Sequence, residues 1–190
     1  LAKLEAVLPA DIPGTPADVK FEAYSSPPPN AAMLAFGNLG VSGNGVTVQG
    51  WLYDVKNVTS PQVLGKQYTD AATAAAARTI AHKFADEIIF RLGGGIAGIA
   101  ESSIYYVRSA GSGHKEIWAM DYDGNNQRQI TRLGSISLSP RISPDGSRLA
   151  FSSITKNSWE ILMYSMDLNR LVTFPRFGGG NYSPAWSADG

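Results

Sequence analysis

The sequence SPRISPDG at Ser139–Gly146 returns in altered form, SPAWSADG, at Ser183–Gly190. The two copies lie 44 residues apart, and the same offset relates Glu116 to Glu160. A self-match near this period is typical of the blades of a β-propeller, each a four-stranded sheet that cannot bury its faces alone. The sequence therefore predicts that the C-terminal half is built from tandem blade sheets.

The repeated octapeptide is predicted to have a structural task. Asp145 and Asp189 occupy the same repeat position, and a pair of carboxylates is also what general acid–base chemistry requires. A repeated position favours the closure of a turn before the next strand, because Gly accepts positive φ and Asp bonds to nearby backbone. The residues of this motif are Ser139, Pro140, Ser143, Pro144, Asp145, Gly146, Ser183, Pro184, Ser187, Asp189 and Gly190.

Short strands separated by turn residues are predicted throughout the second half of the chain. The first blade has three of them and lacks its first strand, the second blade has four, and Ser183–Ser187 opens a third blade. Because a propeller has at least four blades, we expect the chain to be a piece of a longer protein. The predicted strands are Ile104–Arg108, Glu116–Asp121, Gln127–Thr131, Ser137–Ile142, Arg148–Ser152, Glu160–Ser165 and Leu171–Phe174.

The first half of the chain reads as a small α+β domain. Ala31–Phe36 is an apolar run that predicts a buried strand, and Asn44-Gly45 predicts a hairpin turn before a second, alternating strand. A third strand is predicted at Gln62–Tyr68. Before these strands the pattern is weak, with a short helix around Pro16–Tyr24.

A long helix is predicted from about Ala71 to Leu92, capped by Thr69 or Asp70. Its apolar stripe was expected to pack on the sheet and comprises Ile80, Phe84, Ile88 and Leu92, widened by Ala77, Ala81, Ala85 and Ile89. Three glycines at 93–95 end it. The predicted fold class is thus a mixed sheet with a packed helix at residues 1–98, followed by a partial all-β propeller at residues 99–190.

Composition excludes several classes of function. Lys and Arg together number 16, as do Asp and Glu, so the formal net charge of zero argues against nucleic-acid binding. Cysteine is absent, which rules out disulfides, a thiol nucleophile and Cys-based zinc sites. No apolar run is long enough for a membrane-spanning helix.

Individual candidates for chemistry are weak. His82 and Asp86 stand four apart on the predicted helix, a spacing compatible with acid–base chemistry or part of a metal site, but a surface or packing pair is the commoner outcome. His114 is expected in a solvated turn. Trp51, Trp118, Trp159 and Trp186 could suggest stacking on a carbohydrate or a nucleotide. Trp118 and Trp186 are expected to serve packing between blades, whereas Trp51 is a modest candidate for a contact site. We predict no catalytic residue, no metal and no cofactor.

Three features of the chain resemble the TolB family, the periplasmic component of the Tol–Pal system of Gram-negative bacteria. The first is the helix Arg78–Leu92, and the second is the linker with the first strand, Gly98–Ser109. The third is the set of repeats at Glu116–Asn125, Ser139–Ser152 and Ser183–Gly190. The likeness covers roughly residues 31–190.

This resemblance implies an N-terminal α/β domain followed by a six-bladed propeller, without catalytic activity or a required cofactor. It also implies binding to the lipoprotein Pal, contact with TolA through an extended N-terminal segment, and support of outer-membrane integrity and cell division. A periplasmic location is expected, although the chain carries no signal segment. Because the family's N-terminal strand and helix and its later blades have no counterpart here, both partner sites are expected to be absent or incomplete, and no partner-binding residue is assigned.

Two other functions stay open at this point. Blades of this kind also occur in prolyl-oligopeptidase-like hydrolases, where the propeller filters substrates and a separate domain carries the catalytic serine. No G-x-S-x-G motif is present within the chain, so a peptidase would need its catalytic domain beyond residue 190. A propeller that binds a small ligand is the third possibility.

Overall fold

The structure, a computed structural model, describes residues 12–156 and 158–190. The chain divides into two units, Leu1–Glu101 and Ser102–Gly190, and each is described here by itself. The division falls three residues after the boundary predicted at residue 98. The first eleven residues of the predicted N-terminal domain lie outside the described residues.

Three antiparallel strands make the sheet of the first unit. They are β1 (Met33–Ser42), β2 (Gly45–Asp54) and β3 (Gln62–Ala71), in the order β1-β2-β3. The prediction of a mixed sheet is wrong for these strands, because short connections join neighbours only in antiparallel pairs. Ser42 pairs with Gly45, so Gly43 and Asn44 form the β1–β2 loop, one residue earlier than predicted. Gly43 supplies the positive φ, +57°, that this tight turn needs.

Burial alternates along β1. Leu34 and Phe36 are buried, whereas Met33 and Ala35 are exposed. The prediction of a continuously buried strand at Ala31–Phe36 is therefore wrong. The reason is that β1 lies at the edge of the sheet, where only one of its two faces is covered in the described residues.

The covered face of β1 belongs to an aromatic cluster. Before the sheet, residues Pro16–Asp18 form a 3₁₀ turn and Phe21–Ser25 form the short helix α1, in the region where one short helix was predicted. Tyr24 of α1 packs with the strand residues Leu34, Phe36 and Tyr53 and with Val55, which directly follows β2. This cluster closes one side of the sheet.

The other side of the sheet carries the long helix α2 (Ala74–Leu92). Thr73 caps it, since its hydroxyl accepts a hydrogen bond from the amide of Ala76 at 3.1 Å. The predicted caps Thr69 and Asp70 are wrong because β3 continues through Ala71. The contacting face is also narrower than predicted. Ile80 is buried and Phe84 and Ile88 are half-buried, but Ala77, Ala81, Ala85, Ile89 and Leu92 are exposed.

The second unit contains two antiparallel sheets, of three and four strands, as the phased repeat predicted. The first sheet is ordered β4-β5-β6 and the second β10-β9-β8-β7. Their strands are β4 (Ser103–Gly111), β5 (His114–Asp121), β6 (Arg128–Gln129), β7 (Ser137–Ile142), β8 (Arg148–Thr155), β9 (Ser158–Ser165) and β10 (Arg170–Val172).

The two sheets of this unit share one hydrophobic core. Ile117 and Ala119 from β5 pack with Leu149 and Phe151 from β8, and all four side chains are inaccessible to water. Full burial of each of the larger side chains, those of Ile117, Leu149 and Phe151, contributes about 1.5–3 kcal/mol to the stability of the fold. The stacking of successive sheets through their apolar faces is what positions the connecting loops.

The third copy of the repeat start, Ser183–Ser187, is not a strand. No strand of the described residues pairs with it, so the prediction of a strand there is wrong for this chain. It nevertheless keeps the backbone of the earlier copy. Ser139 and Ser183 have φ of +53° and +56°, and Gly146 and Gly190 have +74° and +94°.

Candidate functional site

The repeat motif forms a tight turn between β7 and β8, centred on Asp145. Its carboxylate accepts hydrogen bonds from the hydroxyls of Ser143 (2.5 Å) and Ser147 (2.7 Å) and from the amide of Ser147 (3.0 Å). The Ser143 hydroxyl in turn accepts from the amide of Arg148 at 2.9 Å. These bonds favour the ionised form, so the pKa of Asp145 is lowered to about 2, chiefly by the Ser143 hydroxyl.

The second copy repeats part of this arrangement. A hydrogen bond from Ser187 lowers the pKa of Asp189, as Ser143 does for Asp145. Each carboxylate is thus bonded within its own turn, in the manner expected of a turn-closing residue. The structural role of the whole motif remains our proposal.

Glu116 in β5 carries a buried carboxylate to which no role was assigned from the sequence. Its side chain is 2% exposed. One oxygen accepts from the amides of Leu133 (2.7 Å) and Gly134 (2.8 Å), and the other accepts from the hydroxyl of Thr131 (2.5 Å). Glu116 therefore fixes the segment that crosses from the first sheet to the second. The signal was available, because Glu116 and Glu160 match at the repeat offset.

His82 and Asp86 both lie on α2, where Asp86 bonds backbone amides of a later segment. Asp86 accepts hydrogen bonds from the amides of Ala100 (2.7 Å) and Glu101 (3.0 Å), which lie just before the second unit. The carboxylate therefore ties down the segment after the triple glycine. The second histidine, His114, begins strand β5 and follows a turn at Ser112-Gly113, so it is not itself a turn residue.

The tryptophans contact neighbouring protein groups. Trp51, which was predicted to be a modest candidate for a contact site, stacks on Phe36 with ring centroids 5.3 Å apart. It therefore lies against the aromatic cluster. The Arg108 guanidinium lies 4.5 Å from the Trp118 ring, a cation–π distance. The Trp186 indole donates to the carbonyl of Arg141 at 2.9 Å. Trp159 lies in β9 and is half-buried.

The described residues of the first unit form a groove and a cleft. A groove of about 300 Å³ runs between α2 and the sheet and is mostly apolar, with Leu39, Val48, Ile80 and Phe84 among its lining residues. A larger cleft, of about 690 Å³, is lined by Lys66, Tyr68, Lys83 and Glu101 among others. Lys66 pairs with Glu87 at 2.9 Å inside this cleft.

Two further findings concern possible metal ligands and the hydropathy of the helices. Within the described part of the chain, three or more side chains suited to metal ligation do not gather at any point. None of the helices formed by residues 12–156 and 158–190 combines the length and hydropathy that a membrane span requires.

The second unit contains successive sheets that repeat with one period in the sequence. These sheets stack through a common core, and hydrogen bonds to Glu116 hold the segment that links them. Such an arrangement defines a β-propeller-type repeat protein. The model of one such family, the TolB beta propeller domain, matches residues 91–190, which is more than half of the chain. The chain belongs to this TolB family.

Curated relatives carry the same name. The chain is 31% identical over 168 residues to the TolB homolog of Chlorobium chlorochromatii, covering 88% of this chain and 36% of that protein. It is 35% identical over 156 residues to Tol-Pal system protein TolB of Desulfosudis oleivorans, covering 82% and 34%. Against the Tol-Pal system protein TolB of Cereibacter sphaeroides it is 37% identical over 147 residues, covering 76% and 32%. The chain spans about a third of the length of these relatives.

A solved structure agrees with the fold. The crystal structure of TolB from Acinetobacter baumannii superposes with a TM-score of 0.73 over 85% of this chain and 40% of that one. The sequence identity is 19%, so this likeness shows the fold alone.

Proposed function

We propose that this chain is part of a non-enzymatic, periplasmic interaction protein of the Tol–Pal system. The observation that carries the proposal is its identity of 31–37% with proteins named for that system over most of its length. In this proposal the whole protein supports outer-membrane integrity and cell division. Its partners are Pal and TolA, as the family resemblance implies.

The described geometry is suited to a scaffold. The turns between strands are closed by side-chain bonds, as at Asp145, and the crossing between sheets is bonded to buried Glu116. Loops held in this way meet a partner with a small cost in conformational entropy. A rigid surface of this kind serves recognition without any reacting group.

We further propose that the whole protein completes a ring of six blades and that its partner sites draw on parts outside this chain. The chain covers 32–36% of the relatives' lengths, so most of the surface of such a protein is contributed elsewhere. The 190-residue chain alone is then expected to bind Pal weakly or not at all.

The test measures binding by the full-length gene product. Isothermal titration with Pal and, separately, with TolA is expected to show saturable binding to each. The 190-residue chain is the matched comparison and should lose both interactions. Failure of the full-length protein to bind either partner would reject the assignment to the Tol–Pal system.

A second measurement addresses enzymatic activity. Fluorogenic prolyl peptides and general esterase substrates, incubated with the full-length protein, are expected to remain intact. Turnover above the buffer rate that disappears with a serine-directed inhibitor would instead support a peptidase.

Deletion of the gene should cause leakage of periplasmic proteins and sensitivity to detergent, and complementation should reverse both.

A further inference from the structure

The buried carboxylate of Glu116 holds the segment that connects the first sheet of the second unit to the next sheet. Its three donors all come from the crossing segment: the hydroxyl of Thr131 and the amides of Leu133 and Gly134. The Leu133 side chain packs against the core between the two sheets. We call these three hydrogen bonds to Glu116 the first clasp. They are formed at the place where the second sheet covers the first.

The repeat places Glu160 at the equivalent position of the second sheet, but its surroundings differ. Its Oε2 atom is buried and has no hydrogen-bond partner among the described residues. The Nε atom of Arg176 lies 3.5 Å from it, longer than a normal hydrogen bond, and the Glu160 side chain is 20% exposed. This ion pair offsets only part of the cost of burying the oxygen, because no donor lies at hydrogen-bond distance.

The donors that would satisfy Glu160 exist in the sequence. At the repeat offset, Leu133 and Gly134 correspond to Phe177 and Gly178, so the same two amides are present. The third donor is missing, because Thr131 corresponds to Pro175, which has no hydroxyl. Unlike its counterpart Leu133, Phe177 is 59% exposed.

We propose that the Glu160 carboxylate accepts a second set of hydrogen bonds of this kind, which we call the second clasp. The segment 174–181, which we call the strap, supplies the donors by moving onto Glu160. When a further sheet packs against the second one, burial of Phe177 draws the strap inward. The amides of Phe177 and Gly178 then bond the Glu160 carboxylate, and Arg176 is released to solvent. The inference rests on the further blades proposed above for the whole protein, and it is independent of the partners proposed there.

Hydrogen-exchange mass spectrometry of the full-length protein tests the strap. Peptides spanning residues 174–181 are expected to exchange at least about tenfold more slowly there than in the 190-residue chain, since one extra charge-assisted hydrogen bond changes an opening equilibrium by that order. Glu160→Ala should restore fast exchange at 174–181 and leave residues 131–136 protected. Glu116→Ala is the matched control and should have the converse effect. Unchanged exchange at 174–181 in Glu160→Ala would overturn the proposal.

A second variant, which adds a hydrogen-bond donor, tests the proposal even if Glu160→Ala fails to fold. Pro175→Thr supplies the missing hydroxyl in a position where the first clasp has one. In the full-length protein it should slow exchange of residues 174–181 further, and Glu160→Gln in the same background should weaken the gain. If Pro175→Thr leaves that exchange unchanged, Glu160 does not bond the strap and the proposal is wrong.

Discussion

The hydroxyl of Thr131 donates a hydrogen bond of 2.5 Å to the Glu116 carboxylate and accepts one of 2.9 Å from the amide of Ile117. Both residues are buried. One hydroxyl therefore joins strand β5 to the segment that leaves its sheet. The pair shows how a propeller-type chain satisfies polar groups at the junction of two sheets, where backbone pairing is interrupted.

Truncation of Glu116 is expected to destabilise the second unit strongly. Glu116→Ala leaves a buried hydroxyl and two partly buried amides without their acceptor, and the expected loss in free energy of unfolding is about 3 kcal/mol. Urea denaturation followed by tryptophan fluorescence measures it. Glu22→Ala, at an exposed position in the first unit, is the control and should change the stability by less than about 0.5 kcal/mol. A loss of similar size in both variants would contradict the role given to Glu116.

The carboxyl of Asp145 is expected to titrate near pH 2. Its pKa is lowered to about 2 mainly by the Ser143 hydroxyl and then by the groups of Ser147. Ser143→Ala should therefore raise the pKa of Asp145 toward its ordinary value, and Ser147→Ala should raise it less. NMR titration of the Asp145 side-chain carbon measures both. An unchanged titration in Ser143→Ala would show that the short bond to Ser143 is not formed in solution.

The same shift gives a pH dependence of stability. Because the pKa of Asp145 is lower in the folded than in the unfolded chain, its ionised form stabilises the fold above the unfolded value of about 3.9. That contribution is lost as pH falls toward about 2. The melting temperature of the wild type should therefore drop more between pH 4 and pH 2 than that of Asp145→Asn, measured by circular dichroism. Parallel curves for the two proteins would rule out the linkage.

A methyl group at position 98 is expected to displace the segment that precedes the second unit. A Cβ built on Gly98 would lie 2.0 Å from a carboxylate oxygen of Asp86 and 2.6 Å from its Cα atom, so a side-chain rotation alone cannot relieve the clash. Gly98→Ala should cost about 1–3 kcal/mol or break the hydrogen bonds that the amides of Ala100 and Glu101 donate to Asp86. Limited proteolysis at residues 96–101 should become faster. Gly40→Ala, where the added atom meets nothing within 4 Å, is the control.

Local pattern was sufficient to predict most elements of the second unit. The strand Ser137–Ile142 has the predicted bounds, because turn residues flank it on both sides and the repeat fixes its phase. The same reasoning failed for Ser183–Ser187. The backbone there repeats the earlier φ values, yet a strand also needs a neighbour to pair with, which a sequence pattern does not provide.

Errors in the first unit arose from tertiary context. The residues of the predicted Ala31–Phe36 strand are apolar, but β1 is an edge strand and half of them face outward. The cap moved to Thr73 because β3 extends further than its apolar pattern. The roles of Glu116 and Asp86 were hidden for another reason: each depends on bonds to amides 14–18 residues away along the chain. The repeat offset singles out Glu116 as a recurring position, but residue type and spacing do not identify the amides that either carboxylate bonds.

The width of the packed face of α2 gives the last prediction. Ile80 is 4% exposed and Ile89 is 50% exposed, although both belong to the stripe that periodicity predicts. Ile80→Ala should therefore remove buried methylenes and open a cavity, at a cost of about 2–4 kcal/mol, whereas Ile89→Ala should cost less than about 1 kcal/mol. Thermal unfolding of the two variants measures the difference. Equal losses would mean that a further element covers Ile89 in solution, and the face of α2 that contacts the protein would then be as wide as the sequence predicts.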